Sequence, residues 1–278
     1  MVPLEANMSD DVSDIAAYYS SDPTREHTRL ERHQLEYELT WRYLERYLPA
    51  QGSILEVGAA TGRYTLELTR RGYAVTAVDL SADLLDACRQ NLERAGLAAR
   101  VTFALADARD LSAVPGTDFD AALLMGPLYH LILESDRRIA LRQVYDRLKP
   151  GGLLVSAFIS RLGILGDLMK DLPEWIDDPR EVHALLEVGH RPDDASRSGF
   201  RGYFARSEEI TPLHESAGFE TLALAGSEPA ISADDESYNR LEGERRRCWL
   251  DLLYAVSTEP SILAASRHLL YVGRKPAA

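Results

Sequence analysis

The stretch Ile54-Leu55-Glu56-Val57-Gly58-Ala59-Ala60-Thr61-Gly62-Arg63-Tyr64-Thr65 constrains this chain more than any other. Its apolar opening suits a strand buried on both faces, as in a parallel sheet. Gly58 and Gly62 then allow a tight turn and leave room for a ligand against the backbone. From Thr61 to Leu68 the pattern turns helical, so the unpaired N–H groups of a helix start would face that ligand. Strand, glycine turn and helix in this order form a nucleotide cradle.

The residues that follow narrow the ligand. Ala74-Val75-Thr76-Ala77-Val78 predicts a second buried strand ending on Asp79. An acid at such a tip, about 20 residues past the glycine turn, accepts hydrogen bonds from both hydroxyls of a ribose. Ser81 suits the cap of a helix over Ala82–Ala95, which Gly96 ends. Val101–Leu105, Phe119–Met125 and Leu153–Ile159 read as the third, fourth and fifth strands, with a helix completed by Leu141–Leu148. Strands alternating with helices predict a doubly wound sheet.

Glu56-x-Gly58-x-Ala60-x-Gly62 resembles the first motif of class I S-adenosylmethionine-dependent methyltransferases, E/D-x-G-x-G-x-G, with Ala60 in place of the middle glycine. The resemblance covers roughly residues 43–159. It includes Gly126-Pro127-Leu128-Tyr129-His130-Leu131, a string similar to one in a bacterial small-molecule subgroup, and Lys149-Pro150-Gly151-Gly152, the turn such proteins place before the fifth strand. It implies S-adenosyl-L-methionine as cofactor and a Rossmann-like, doubly wound, seven-stranded sheet, mostly parallel with an antiparallel last strand. Glu56 is implied near the methionine ammonium, Asp107 and Ala108 at the adenine, and the backbone near Met125 at the methionine end. Gly58, Ala59, Ala60, Asp79 and Leu80 complete the expected cofactor shell, with Tyr18 and Tyr19 from an N-terminal helical lid that also carries Arg25, Arg29 and His33.

Composition excludes several functions. With 31 basic against 44 acidic residues, the net charge of −13 argues against a nucleic-acid backbone as partner. Cys88 and Cys248 are far apart, no run reaches membrane-spanning length, and Met1–Asp10 lacks a signal-peptide pattern. The expectation is a cytoplasmic protein that does not engage membranes.

Four regions are expected: an N-terminal helical cap over 1–48, the cofactor-binding core over 49–159, a helical lid over the acceptor site at 160–205, and the end of the sheet with an inserted helix at 206–278. A homodimer contact or plain helical packing is the alternative reading of 160–205. Arg245-Arg246-Arg247 reads as a solvated face pairing with Glu242 and Glu244.

Methyl transfer from a sulfonium mainly needs alignment and exclusion of water, with a base only when the acceptor holds its proton tightly. His130 is the candidate base or orienting group, and Tyr129 its neighbour shaping the pocket. The remaining histidines and the carboxylates lack metal-ligand spacing, so no metal is expected. The function expected is transfer of a methyl group to a small organic acceptor. The rivals are a non-catalytic sensor of S-adenosylmethionine or its demethylated product, and a nicotinamide-dependent oxidoreductase, which the missing glycine and Asp107 disfavour.

Overall fold

The computed structural model describes residues 10–21, 31–192, 200–229 and 234–277. Expectations for 1–9, Arg25, Arg29 and 193–199 lie outside these residues. Strand β1 (Ser53–Val57) is buried from Ile54 onward because both faces of the sheet are covered there. β2 (Ala74–Asp79) lies along one edge and β4 (Phe119–Leu124) along the other, both parallel to it. β3 (Val101–Leu105) continues the sheet beyond β2, and β5 (Leu148–Ser160) continues it beyond β4. β8 (His268–Arg274) runs antiparallel between β5 and β7 (Glu220–Gly226). The order is β3-β2-β1-β4-β5-β8-β7, the expected doubly wound sheet. An eighth strand of two residues, β6 (Phe204–Ala205), pairs in parallel with the end of β5.

Helices cover both faces. On one, α2 (Gln34–Tyr47) sets Leu35, Leu39 and Leu44 against Ile54, Val75, Leu123 and Val155, beside Leu68 of α3 (Arg63–Arg70). On the other, Ala140, Leu141 and Val144 of α6 (Glu134–Arg147) and Ile210 and Leu213 of α9 (Ser207–Ser216) pack on Leu55, Val57, Leu154 and Phe158. Each such leucine contributes about 1.5–3 kcal/mol by leaving water. α4 (Ala82–Arg94), capped by the Ser81 hydroxyl as expected, packs on β2 and β3 with Cys88 fully buried. α1 (Ser13–Ser21) and the single turn α5 (Pro127–His130) stand at the carboxyl end of the sheet.

Three expectations need correction. Lys149–Gly152 is not a turn before β5 but lies inside it. Phe119 pairs with Leu148 and Ala121 with Leu153, so the strand bulges there. The bulged backbone stays satisfied through Gly151 N–H to Lys275 and Lys275 N–H to Gly152. The single inserted helix expected within 206–278 is preceded by another short one: α10 (Asp235–Asn239) and α11 (Gly243–Val256) are parted by residues 240–242, and Gly243, which opens α11, has φ +54°. Arg246 is not solvated: it donates to Glu38 and Gln34 and sits over the Tyr238 ring, whereas Arg247 does pair with Glu244.

The 160–205 stretch is helical where described up to Val188, with α7 (Leu165–Asp171) and α8 (Pro179–Val188). Its end, however, returns to the core through buried Tyr203 and Ala205. No described helix is long and apolar enough to cross a membrane.

Candidate active site

β1 and β4 are neighbours whose following helices leave to opposite faces of the sheet, and this switch point opens a crevice at the strands' carboxyl ends. A cleft fills it. Its floor is the turn after β1, held by hydrogen bonds from Gly58 and Ala59 N–H to Val78 O at 2.8 and 3.0 Å. Gly58 has φ +83°, and a Cβ there would stand 2.7 Å from Pro127 Cδ. Ala60 adopts φ +49°, a left-handed conformation that glycine takes without strain. It is held there by its N–H, which donates to Asp79 Oδ2 at 2.8 Å, while Asp79 Oδ1 accepts from Ser81 N–H at 2.9 Å.

Glu56 reaches the cleft from inside β1. The residue is 2% exposed, and its Oε2 accepts the Thr65 hydroxyl at 2.7 Å. Burial, with Asp79 adding repulsion, pushes its pKa to about 8 against the Thr65 hydrogen bond. A buried acid in this state favours a cationic group brought beside it.

Asp107 and Ala108 form the wall beyond β3. Both Asp107 oxygens accept from Arg109 Nε at 3.1 Å, and Arg109 also donates to Asp136 and to the Asp10 carbonyl. The Asp107 carboxylate therefore shares itself with a cation of its own chain. Leu80 and Met125 line the same cleft.

α1 lies over the opening. Val12, Ile15 and Tyr19 line the cleft, and Arg201 holds the helix start by donating to Asp11 O, Asp14 and Asp10. Tyr18 does not line it. Consecutive helical residues point about 100° apart, so only one of the two tyrosines faces inward. Tyr18 packs edge-on against Tyr19 and Phe200 instead.

His130 Nδ1 lies 2.9 Å from Arg201 O, and a carbonyl only accepts, so Nδ1 carries the proton. Nε2 is then the acceptor of the Tyr19 hydroxyl at 2.7 Å. Burial lowers the His130 pKa to about 4 despite the Arg201 carbonyl, so the ring is neutral. Both His130 nitrogens are engaged, and the Tyr19 hydroxyl stands at its only basic atom. Tyr129 lines the cleft with its ring centroid 4.7 Å from that of His130.

Of the other histidines, His214 is buried between Ser156 and the Tyr271 ring. His33, placed with the lid from sequence, lies away from the cleft beside Arg267, Glu228 and Asp235. The structure thus gathers His33–Glu228–Asp235 and Glu36–Glu228–His268 into groups that no sequence spacing foretold, and the Arg267 guanidinium already stands between Glu228 and Asp235. Sequence reasoning also missed Val12 and Ile15, although with Tyr19 they form an i, i+3, i+7 stripe.

The fold is a Rossmann-like sheet of the kind found in solved S-adenosylmethionine-dependent methyltransferases. Residues 54–152 match the family described as a methyltransferase domain. The chain is 30% identical over 138 residues to the tRNA 5-carboxymethoxyuridine methyltransferase of Escherichia coli K12, covering 48% of this chain and 51% of that one. It is 30% identical over 134 residues to the carboxy-S-adenosyl-L-methionine synthase of Aliivibrio salmonicida, covering 46% and 54%. The chain thus spans about half the length of these curated relatives. Among solved structures, the Burkholderia thailandensis 1,6-didemethyltoxoflavin-N1-methyltransferase, with that compound and S-adenosylhomocysteine bound, superposes with a TM-score of 0.58. The superposition covers 99% of this chain and 94% of that one at 17% identity. Residues 54–152 are thus similar to a methyltransferase domain, and the fold over nearly the whole chain is one found in a solved methyltransferase.

Proposed function

We propose that this chain transfers a methyl group from S-adenosyl-L-methionine to a small organic acceptor with an apolar or aromatic body. The observation that carries the reading is the set of three acids, Glu56, Asp79 and Asp107, brought to one cleft from the ends of β1, β2 and β3. Glu56 would take the ammonium, Asp79 the ribose and Asp107 with Ala108 the adenine. Held by these residues, S-adenosyl-L-methionine would supply an electrophilic methyl group to an acceptor lone pair, with the sulfur as leaving group. Tyr19, Tyr129 and Phe200 would align the acceptor and keep water out. Where the acceptor carries a proton, the Tyr19 oxygen would take it as the Tyr19 hydroxyl proton passes to His130 Nε2, leaving Tyr19 neutral and His130 an imidazolium.

Calorimetric titration with S-adenosylmethionine, S-adenosylhomocysteine and NADH tests the cofactor. The first two are expected to bind and the third not to. Asp79→Ala removes hydrogen bonds to a charged group worth about 1.5–3 kcal/mol, so affinity should fall roughly ten- to hundredfold. An unchanged affinity in a folded variant would remove the ribose assignment. Binding without turnover on any acceptor would favour the sensor reading.

A second reading, a nucleoside within tRNA as acceptor, is favoured by the tRNA-modifying relative alone. The net charge of −13 weighs against it. Methyl incorporation into bulk tRNA, compared with a panel of phenols, amines and heteroaromatics, separates the two.

A further inference from the structure

A second cavity of about 280 Å³ lies between α6, α9 and Phe158 of β5, lined by Arg137, Arg138, Tyr203, Glu134 and Glu209 among others. That is ample for more than one water. Arg137 is 4% exposed, yet among the described residues no carboxylate pairs with it. The acids at the cavity are committed elsewhere: Glu134 to Arg138, and Glu209 to Arg161, the Tyr203 hydroxyl and Arg206 N–H.

The Arg137 guanidinium stacks on the Tyr203 ring, 3.6 Å from its centroid. Its Nη1 donates to Leu131 O and Ile132 O at 2.6 and 2.8 Å. Nε is buried with no partner, and Nη2 has no hydrogen bond among the described residues. Nε and Nη2 form the edge with which arginine grips a carboxylate or phosphate in two parallel hydrogen bonds. Burial lowers the Arg137 pKa, and Tyr203, Glu134 and Glu209 do not offset it. A buried cation with no carboxylate in hydrogen-bond reach is costly, and a bound anion would reduce that cost.

We propose that this cavity is a binding site for a small oxyanion, a carboxylate or a phosphate group, held on Arg137. The site is separate from the cofactor cleft, with the Leu131–Ile132 backbone between them, and the proposal stands whatever the cleft binds. The test titrates the whole protein, saturated with S-adenosylhomocysteine to block the cleft, with inorganic phosphate and with acetate at constant ionic strength. Calorimetry reads affinity, and the ¹H–¹⁵N signal of the buried Arg137 Nε–H reads location.

One equivalent of phosphate or acetate is expected to bind saturably and to shift that Nε signal. The tighter of the two tells whether the natural ligand carries phosphate or carboxylate. Arg137→Gln should weaken binding at least about tenfold, the loss of one charge-assisted hydrogen bond. Glu134→Gln, an exposed change that removes a competing charge at the rim, should tighten it. Should Arg137→Gln fail to fold, the Nε shift in the native protein and the Glu134→Gln titration decide alone. Absence of saturable binding by both anions, or binding that leaves the Nε signal still and ignores both substitutions, overturns the proposal.

Discussion

At Glu56 a single carboxyl would couple the proposed cofactor binding to protons. Its pKa of about 8 leaves it mostly protonated at pH 7 without ligand. An ammonium brought to it favours the ionised form, so binding should release a proton. The affinity for S-adenosylhomocysteine is expected to rise with pH up to about 8, and calorimetric heats at pH 7 to vary with the buffer's ionisation heat. Glu56→Gln should abolish both dependences. The group's effect on stability has the opposite slope: a folded pKa above the ordinary 4.5 contributes stability that is full below 4.5 and lost as pH rises through about 8. His130 and His214, both held near 4 by burial against an ordinary 6.5, contribute stability present above 6.5 and lost as pH falls through 4. Urea unfolding midpoints of the ligand-free protein should therefore drop between pH 6.5 and 4. A flat profile there would contradict the buried neutral rings. Tyr19→Phe strands His130 Nε2 inside the protein and should cost about 1–3 kcal/mol. In activity it should lower kcat for acceptors that must lose a proton and spare those that need not.

Among the elements, the turn after β1 is the most demanding. Gly58→Ala would put a Cβ against Pro127 at a positive φ, so cofactor binding should fail even where the sheet persists, as near-ultraviolet and far-ultraviolet circular dichroism would reveal. Ala60→Gly should relax the neighbouring turn without loss of binding. The turn, its strand and Asp79 at the tip of β2 were legible in the sequence because each depends on local periodicity and a fixed offset, whereas Glu56 and Asp107 were placed through the family resemblance. What stayed hidden depends on contacts far along the chain. The facing of Tyr19 rather than Tyr18 follows from where α1 docks, and the engagement of His130 follows from Tyr19 and Arg201, 111 and 71 residues away. The bulge at Lys149–Gly152 looked like a turn because glycine and proline mark both. Only pairing with β4 and Lys275 distinguishes them.

Across the whole molecule, Arg267 draws together segments that share no neighbourhood in sequence. Its guanidinium, 4% exposed, donates to Glu228 and, at 3.0 Å each, to Asp167 of α7 and Asp235 of α10, and its Nη2 lies 2.8 Å from His33 Nδ1. Burial would raise the Glu228 pKa, but His268 and Arg267 hold it below the ordinary value, so it is a buried anion that needs them. Arg267→Gln should destabilise the fold by about 3–5 kcal/mol in chemical denaturation. In chain order every one of these partners precedes Arg267. During synthesis, Glu228 emerges before the cation that neutralises it, and the earlier segments cannot close over that carboxylate until β8 has been made. A nascent chain halted short of Arg267 should remain open to protease around Asp167 and Asp235, and release of the final strand should protect both sites in one step.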